Sequence, residues 1–206
     1  MSLKVDTSLK AKITIVTGSS GSGKSAWVKQ QITKATRLAV WDVDDEYGDI
    51  RGIKTFYNVN ELAGALRRSK VGKFRLVGEF GDFDLFCKIV FAWGVCTCVI
   101  EELAGVTTPA KAPKNWHTLV SRGRKRGITI YAITQRPSES DKTIMGNAST
   151  FHAGRMNRQQ DRVYMAKEMD IPVSDIANLK PLEFIEKYDD GTKTAGIVRF
   201  GRKKSA

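Results

Sequence analysis

The run Lys12-Ile13-Thr14-Ile15-Val16-Thr17 leads directly into Gly18-Ser19-Ser20-Gly21-Ser22-Gly23-Lys24-Ser25, and from Ala26 the chain continues with helical spacing. A strand, a glycine-rich loop and a helix in that order bring backbone N–H groups together at a helix N-terminus, where the dipole is positive. Gly18, Gly21 and Gly23 let the backbone curl, and the neighbouring Ser19, Ser20, Ser22 and Ala26 belong to the same cradle. Lys24 is spaced to reach β- and γ-phosphates, and Ser25 to ligate Mg²⁺ through its hydroxyl. The expected ligands are therefore ATP and Mg²⁺.

Such a loop needs a sheet behind it. Short β-branched runs at residues 12–17, 38–42, 73–77, 95–100, 128–134 and 150–153 alternate with segments of helical period, the pattern of a parallel sheet flanked by helices, an α/β architecture. Val28, Ile32 and Ala35 recur at helical spacing after the loop, as do Trp116, Leu119 and Val120 after Pro113. Residues 104–113, rich in Pro, Thr and Ala, read as an exposed, mobile loop. A later helix is expected from about Asn157, with Asn157 and Gln160 at capping-box spacing, to Met169. Residues 184–188 and 195–200, around Asp189-Asp190-Gly191-Thr192, read as a β-hairpin, and residues 201–204 as a basic tail. A chain of 206 residues is expected to form one ATPase domain, with its core at 12–155 and the helix, hairpin and tail at 156–206.

A metal-binding phosphate loop also calls for an acidic residue at the end of a neighbouring apolar strand. Val95-Cys96-Thr97-Cys98-Val99-Ile100 ends on Glu101-Glu102. Glu101 is the candidate for the Mg²⁺ shell and Glu102 for polarising the attacking water. Cys96 and Cys98 fall on one strand face and read as small buried hydrophobes, because two cysteines without further ligands cannot complete a zinc site. Asp42-Val43-Asp44-Asp45-Glu46-Tyr47 closes another strand and either caps it or lies near the nucleotide. In the block from Leu119 to Pro137, a basic helix end, Arg122-Gly123-Arg124-Lys125-Arg126, precedes a buried strand that ends on Gln135. That amide is placed to touch both the γ-phosphate side and an adjacent loop.

Taken together, the loop, the Asp42 to Tyr47 stretch, the acidic pair and the block ending Thr134-Gln135-Arg136-Pro137 resemble the FtsK–HerA superfamily of DNA-pumping ATPases. Within it, the chain most resembles the genome-packaging ATPases of tailless icosahedral viruses with an internal membrane. The resemblance implies a RecA-like, additional-strand P-loop fold and a hexameric ring that drives double-stranded DNA into a preformed capsid, where a capsid or portal-vertex protein is a further partner. It also implies Gln135 as a polar sensor and a catalytic arginine supplied by the neighbouring subunit, for which Arg122 and Arg124 are candidates, with Arg155 behind them. The family usually has Asp followed by Glu where this chain has Glu101-Glu102, so the metal carboxylate is one methylene longer.

Lys and Arg outnumber Asp and Glu by 34 to 22, a net charge of +12, which favours a polyanionic partner. The longest apolar run, residues 89–100, is shorter than the roughly 18 residues of a membrane span, and residues 1–12 contain no apolar core of a signal peptide. The expected setting is the host cytoplasm, with association to the virion. A filamentous-phage assembly ATPase of the zonula-occludens-toxin type shares this chemistry but is membrane-anchored. A small-molecule kinase would use residues 122–126 as a lid but has no use for Glu102.

Overall fold

The computed structural model describes residues 11–200; the basic tail lies outside the described residues. Nine strands form a single sheet: β1 Ile13–Thr17, β2 Arg37–Trp41, β3 Ile53–Phe56, β4 Gly72–Leu76, β5 Cys96–Ile100, β6 Ile128–Thr134, β7 Thr150–Gly154, β8 Glu183–Tyr188 and β9 Lys193–Ile197. The helices between them are α1 Lys24–Gln31, α2 Val59–Arg68, α3 Phe83–Trp93, α4 Leu103–Val106, α5 Lys114–Arg122, α6 Lys142–Asn147, α7 Gln159–Met169 and α8 Val173–Ala177. The strand order is β3-β4-β2-β5-β6-β1-β7-β8-β9. All pairs from β3 to β7 are parallel, whereas β7–β8 and β8–β9 are antiparallel. β6 stands between β1 and β5, so the strand feeding the glycine-rich loop and the strand ending in the acidic pair are separated by one additional strand.

Alternating side chains divide each strand between two cores. Ile13, Ile15, Ala39, Trp41, Cys96, Cys98 and Ile100 face a large core built with α2, α3, α5 and α6, where Trp41, Phe83, Phe86 and Trp116 stack as a connected aromatic group. Val16, Leu38, Val40, Val99 and Ile133 face a thinner one covered by Trp27, Val28 and Ile32 of α1 and its following turn, together with Val198. Cys87, Cys96 and Cys98 are free and buried, and burial pushes the Cys96 thiol up to about 12, so these residues serve as packing.

Three local expectations need correction. α1 ends at Gln31, leaving Ala35 in a turn where its N–H donates to the Ile32 carbonyl. α7 starts at Gln159 without a side-chain cap, because Gln160 is directed instead to Ser138 Oγ and Asp161 accepts from both the N–H and the hydroxyl of Ser138. The stretch 104–113 begins inside α4, and Thr107 is buried, its hydroxyl donating to Leu103 and accepting from the N–H of Asp141, so this end of the loop is fastened.

Candidate nucleotide site

The glycine-rich loop, the acidic pair, Gln135 and the Asp42 stretch follow β1, β5, β6 and β2, and parallel strands carry all four to the same edge of the sheet. That carboxyl edge is where open α/β sheets bind ligands. Here Ser20, Gly21, Gly23, Lys24, Ser25, Ala26, Asp44, Glu46, Glu101, Gln135 and Phe200 enclose a cleft of about 260 Å³.

The loop is tied down at its base and open at its tip. Ser19 donates both its N–H and its hydroxyl to the Arg155 carbonyl, at 2.8 and 2.9 Å, which anchors it to the end of β7. Both Ser19 donors are thereby engaged, and the loop's lining of the cleft begins at Ser20. Gly18 passes so close to Ser22 that a Cβ would sit 2.4 Å from its hydroxyl oxygen. Gly23 caps α1 at φ 89, a left-handed conformation that glycine adopts without a Cβ penalty. The first-turn N–H groups of α1 have no carbonyl within the helix to receive them, and the residues that carry them, Lys24, Ser25 and Ala26, line the cleft. Lys24 Nζ donates to the Ser19 carbonyl at 3.1 Å and is buried, and that burial lowers its pKa even though Glu101, Glu102 and Glu46 favour its charge.

Ser25 Oγ lies 3.5 Å from Oε1 of Glu101, whose other oxygen accepts from the Tyr47 hydroxyl at 2.9 Å. Burial pushes the Glu101 carboxyl up to about 7, with the Tyr47 hydrogen bond and Lys24 pulling it down and Glu46 and Asp42 pushing it up. A divalent cation would relieve this concentration of negative charge. No group of three or more His, Cys, Asp or Glu side chains arranged to hold a metal exists among the described residues. Ser25 and Glu101 offer a hydroxyl and a carboxylate, which fit Mg²⁺, an ion that usually takes few protein ligands and completes its shell with phosphate and water. Glu102 is held at φ 46, ψ 60, a left-handed conformation costing a non-glycine residue on the order of 1–3 kcal/mol. Burial raises its pKa, and Gln135 Nε2 approaches its Oε2 at 3.5 Å.

The Asp42 stretch caps its strand and lines the cleft. Asp42, fully buried, accepts from the N–H groups of Glu46 and Tyr47 at 2.8 and 3.0 Å and pairs with Arg75 at 2.7 Å, so it braces the turn. The braced turn delivers Asp44 and Glu46 to the cleft wall. Arg75 also pairs with Asp45.

Protein P9 of Pseudoalteromonas phage PM2 is 32% identical to this chain over 193 residues, which cover 87% of the chain and 86% of that protein. The chain belongs to the protein P9 family. Its motifs resemble those of the FtsK–HerA P-loop ATPases. Solved structures share the fold, among them the following two. The genome packaging NTPase B204 from Sulfolobus turreted icosahedral virus 2, in complex with ATP-gammaS, superposes with a TM-score of 0.76 at 13% identity, covering 92% of this chain and 98% of that one. VirB4 of Thermoanaerobacter pseudethanolicus gives 0.69 at 12% identity, covering 93% and 90%. No protein-family model matches the chain.

The candidate arginines of this P9-family chain are not at the cleft. Arg122 ends α5, and Arg124 lies in the turn before β6; both are exposed at the amino edge of the sheet. A strand the length of β6 puts roughly 20 Å between them and Gln135 at its other end. In one copy they cannot meet the phosphates. Arg155 supplies the loop anchor through its carbonyl. Sequence reasoning missed Arg75, Tyr47 as the partner of Glu101, and Phe200. Only Tyr47 had a signal, its place at the end of the Asp42 stretch.

Proposed function

We propose that this chain binds ATP and Mg²⁺ at residues 20–26 and hydrolyses ATP to move double-stranded DNA, without regard to base sequence, into a preformed viral capsid. The observation that carries the reading is the convergence of Lys24, Ser25, Glu101 and Gln135 on one cleft, with Glu102 held beside Gln135. Lys24 and the first-turn N–H groups of α1 take the β- and γ-phosphates. Ser25 and Glu101 would hold Mg²⁺, which when bound neutralises charge on the phosphate oxygens. Glu102 accepts a proton from a water whose oxygen attacks the γ-phosphorus as the bond to the ADP oxygen breaks, and Gln135 orients that water. A kinase shields its phosphates from water and gains nothing from Glu102.

The B204 likeness supports packaging, and the net charge of +12 supports a nucleic-acid partner. Arg122 and Arg124, exposed at the far edge, serve the nucleotide of the next copy in a ring, which we take to be hexameric. The ring docks on a capsid or portal-vertex protein, in the host cytoplasm or on the virion. No helix of the described residues is long and apolar enough to cross a membrane.

The test is Glu102→Gln, which keeps the shape of the side chain and removes the base. ATP binding should persist while hydrolysis falls about a hundredfold or more. Wild-type turnover in this variant, with the loss appearing instead in Glu101→Gln, would reverse the two roles.

A further inference from the structure

The walls of the cleft are chemically uneven. Around Lys24, Ser25, Glu101 and Gln135 they are polar and charged, suited to phosphates, metal and water. A nucleoside has no complement there. Among the described residues the cleft contains a single aromatic ring, Phe200, which is 65% exposed and so contributes little to packing.

The route by which Phe200 arrives is well defined. After β9 the chain turns across α1: Val198 is buried, its N–H donates to the Leu182 carbonyl at 2.9 Å, and a Cβ on Gly23 would touch its side chain and that of Leu182 at 3.1 Å. Gln30 then holds the Arg199 carbonyl at 2.7 Å. Gly23 and Gln30 are two helical turns apart on one face of α1, so residues 198–199 are fastened along that face and Phe200 projects from the strap into the cleft. A nucleotide with its terminal phosphate among Lys24, Ser25, Glu101 and Gln135 must direct its nucleoside away from the carboxylates, along the first turn of α1.

We propose that Phe200 is the nucleobase platform of this site, a ring on which the purine of the bound nucleotide stacks. The proposal rests on the nucleotide-site reading above. It assigns phosphate affinity to the loop and nucleoside affinity to the strap that follows the hairpin, and it accepts adenine and guanine alike, because a ring face reads no base edge.

The experiment measures binding of ATP, GTP and inorganic tripolyphosphate, each with Mg²⁺, by calorimetry to wild type, Phe200→Ala, Phe200→Tyr and Lys24→Ala. Stacking on an aromatic side chain makes Phe200→Ala bind both nucleotides roughly 5- to 150-fold more weakly. Tripolyphosphate binding should not change, and Phe200→Tyr should restore the nucleotides. An exposed side chain makes the alanine variant safe for folding, which its melting curve checks. ATP binding unchanged in Phe200→Ala, or an equal loss for tripolyphosphate, overturns the platform while leaving the phosphate site standing. Wild-type protein that binds neither ATP nor tripolyphosphate, or Lys24→Ala that binds both normally, overturns the nucleotide-site reading and the platform with it.

Discussion

Tyr47 donates its hydroxyl to Oε2 of Glu101 at 2.9 Å, and both residues are buried. The phenol fixes the carboxylate so that Oε1 is the oxygen left facing Ser25. Burial and the nearby Glu101 carboxylate push the Tyr47 hydroxyl pKa well up, so it remains a donor. Partners that orient a metal ligand are typically worth about 10- to 100-fold in affinity or activity. Tyr47→Phe should raise the Mg²⁺ concentration needed for half-maximal hydrolysis by about tenfold, with metal-free nucleotide binding unchanged. A Mg²⁺ titration of the ATPase rate checks this.

Arg75 neutralises Asp42 inside the protein. Removing one member of a buried pair leaves an uncompensated charge, at a cost of about 3–5 kcal/mol. Arg75→Met should therefore lower the melting temperature by on the order of 10 °C. Asp42→Asn in the same chain should recover part of the loss, since it removes the orphaned charge and keeps an acceptor for one of the two N–H groups, those of Glu46 and Tyr47, that donate to separate Asp42 oxygens. Thermal melts of the single and double variants decide it.

This pair also shows where sequence reading reaches its limit. The parallel sheet, the loop and the acidic strand end were legible because each is carried by residues close together in the chain: β-branched runs, a glycine spacing, two adjacent carboxylates. Asp42 and Arg75 are 33 residues apart, and Tyr47 and Glu101 are 54 apart. Only the strand order makes these residues neighbours, and no local spacing encodes it. β3 escaped because it is a four-residue edge strand with no buried position, so it lacks a clean alternation. α2 does carry a helix signal, with Asn58 accepting from the N–H groups of Asn60 and Glu61 and with Val59, Leu62 and Leu66 on its buried face. The left-handed turn at Glu102 has no residue signature at all, since a glutamate is not where such a backbone is looked for.

His152 is stacked between Trp27 and Phe184, with ring centroids at 4.2 and 4.6 Å, and its Nδ1 lies 3.0 Å from Glu186 Oε1. Burial holds the imidazole below its ordinary 6.5, outweighing the Glu186 carboxylate, so a neutral ring donates Nδ1–H to that carboxylate. Burial pushes the Glu186 carboxyl up, but hydrogen bonds from His152 and Tyr188 outweigh it and hold the group below its ordinary 4.5. Both groups take up protons more readily in the unfolded chain. Their contribution to stability is present above about pH 6.5 and is lost in acid, first as pH falls through the His152 window and then through that of Glu186. Denaturant midpoints between pH 7 and pH 4 should decline, and His152→Gln should flatten the part of the decline just below about pH 6.5.

Arg122 and Arg124, both exposed, are proposed to act between copies. A catalytic arginine supplied in trans is worth about a thousandfold or more in rate, whereas a solvated one changes little. Arg124→Ala or Arg122→Ala subunits mixed with Lys24→Ala subunits should regain hydrolysis, because each mixed interface takes one intact half from each copy. Absence of recovery at every mixing ratio, with assembly confirmed by mass, assigns these arginines to DNA instead.

A motor that runs on DNA is tested by the ATPase rate of the purified, assembled protein with and without double-stranded DNA across a salt series. Contacts to phosphates are indifferent to base sequence and weaken steeply as salt rises. Duplex of any sequence should accelerate hydrolysis at low salt, the acceleration should fade as salt is raised, and duplexes too short to thread a ring should stimulate less. A rate indifferent to DNA at every salt concentration, but accelerated by a nucleoside or nucleotide acceptor, would rule out the motor and point to a kinase.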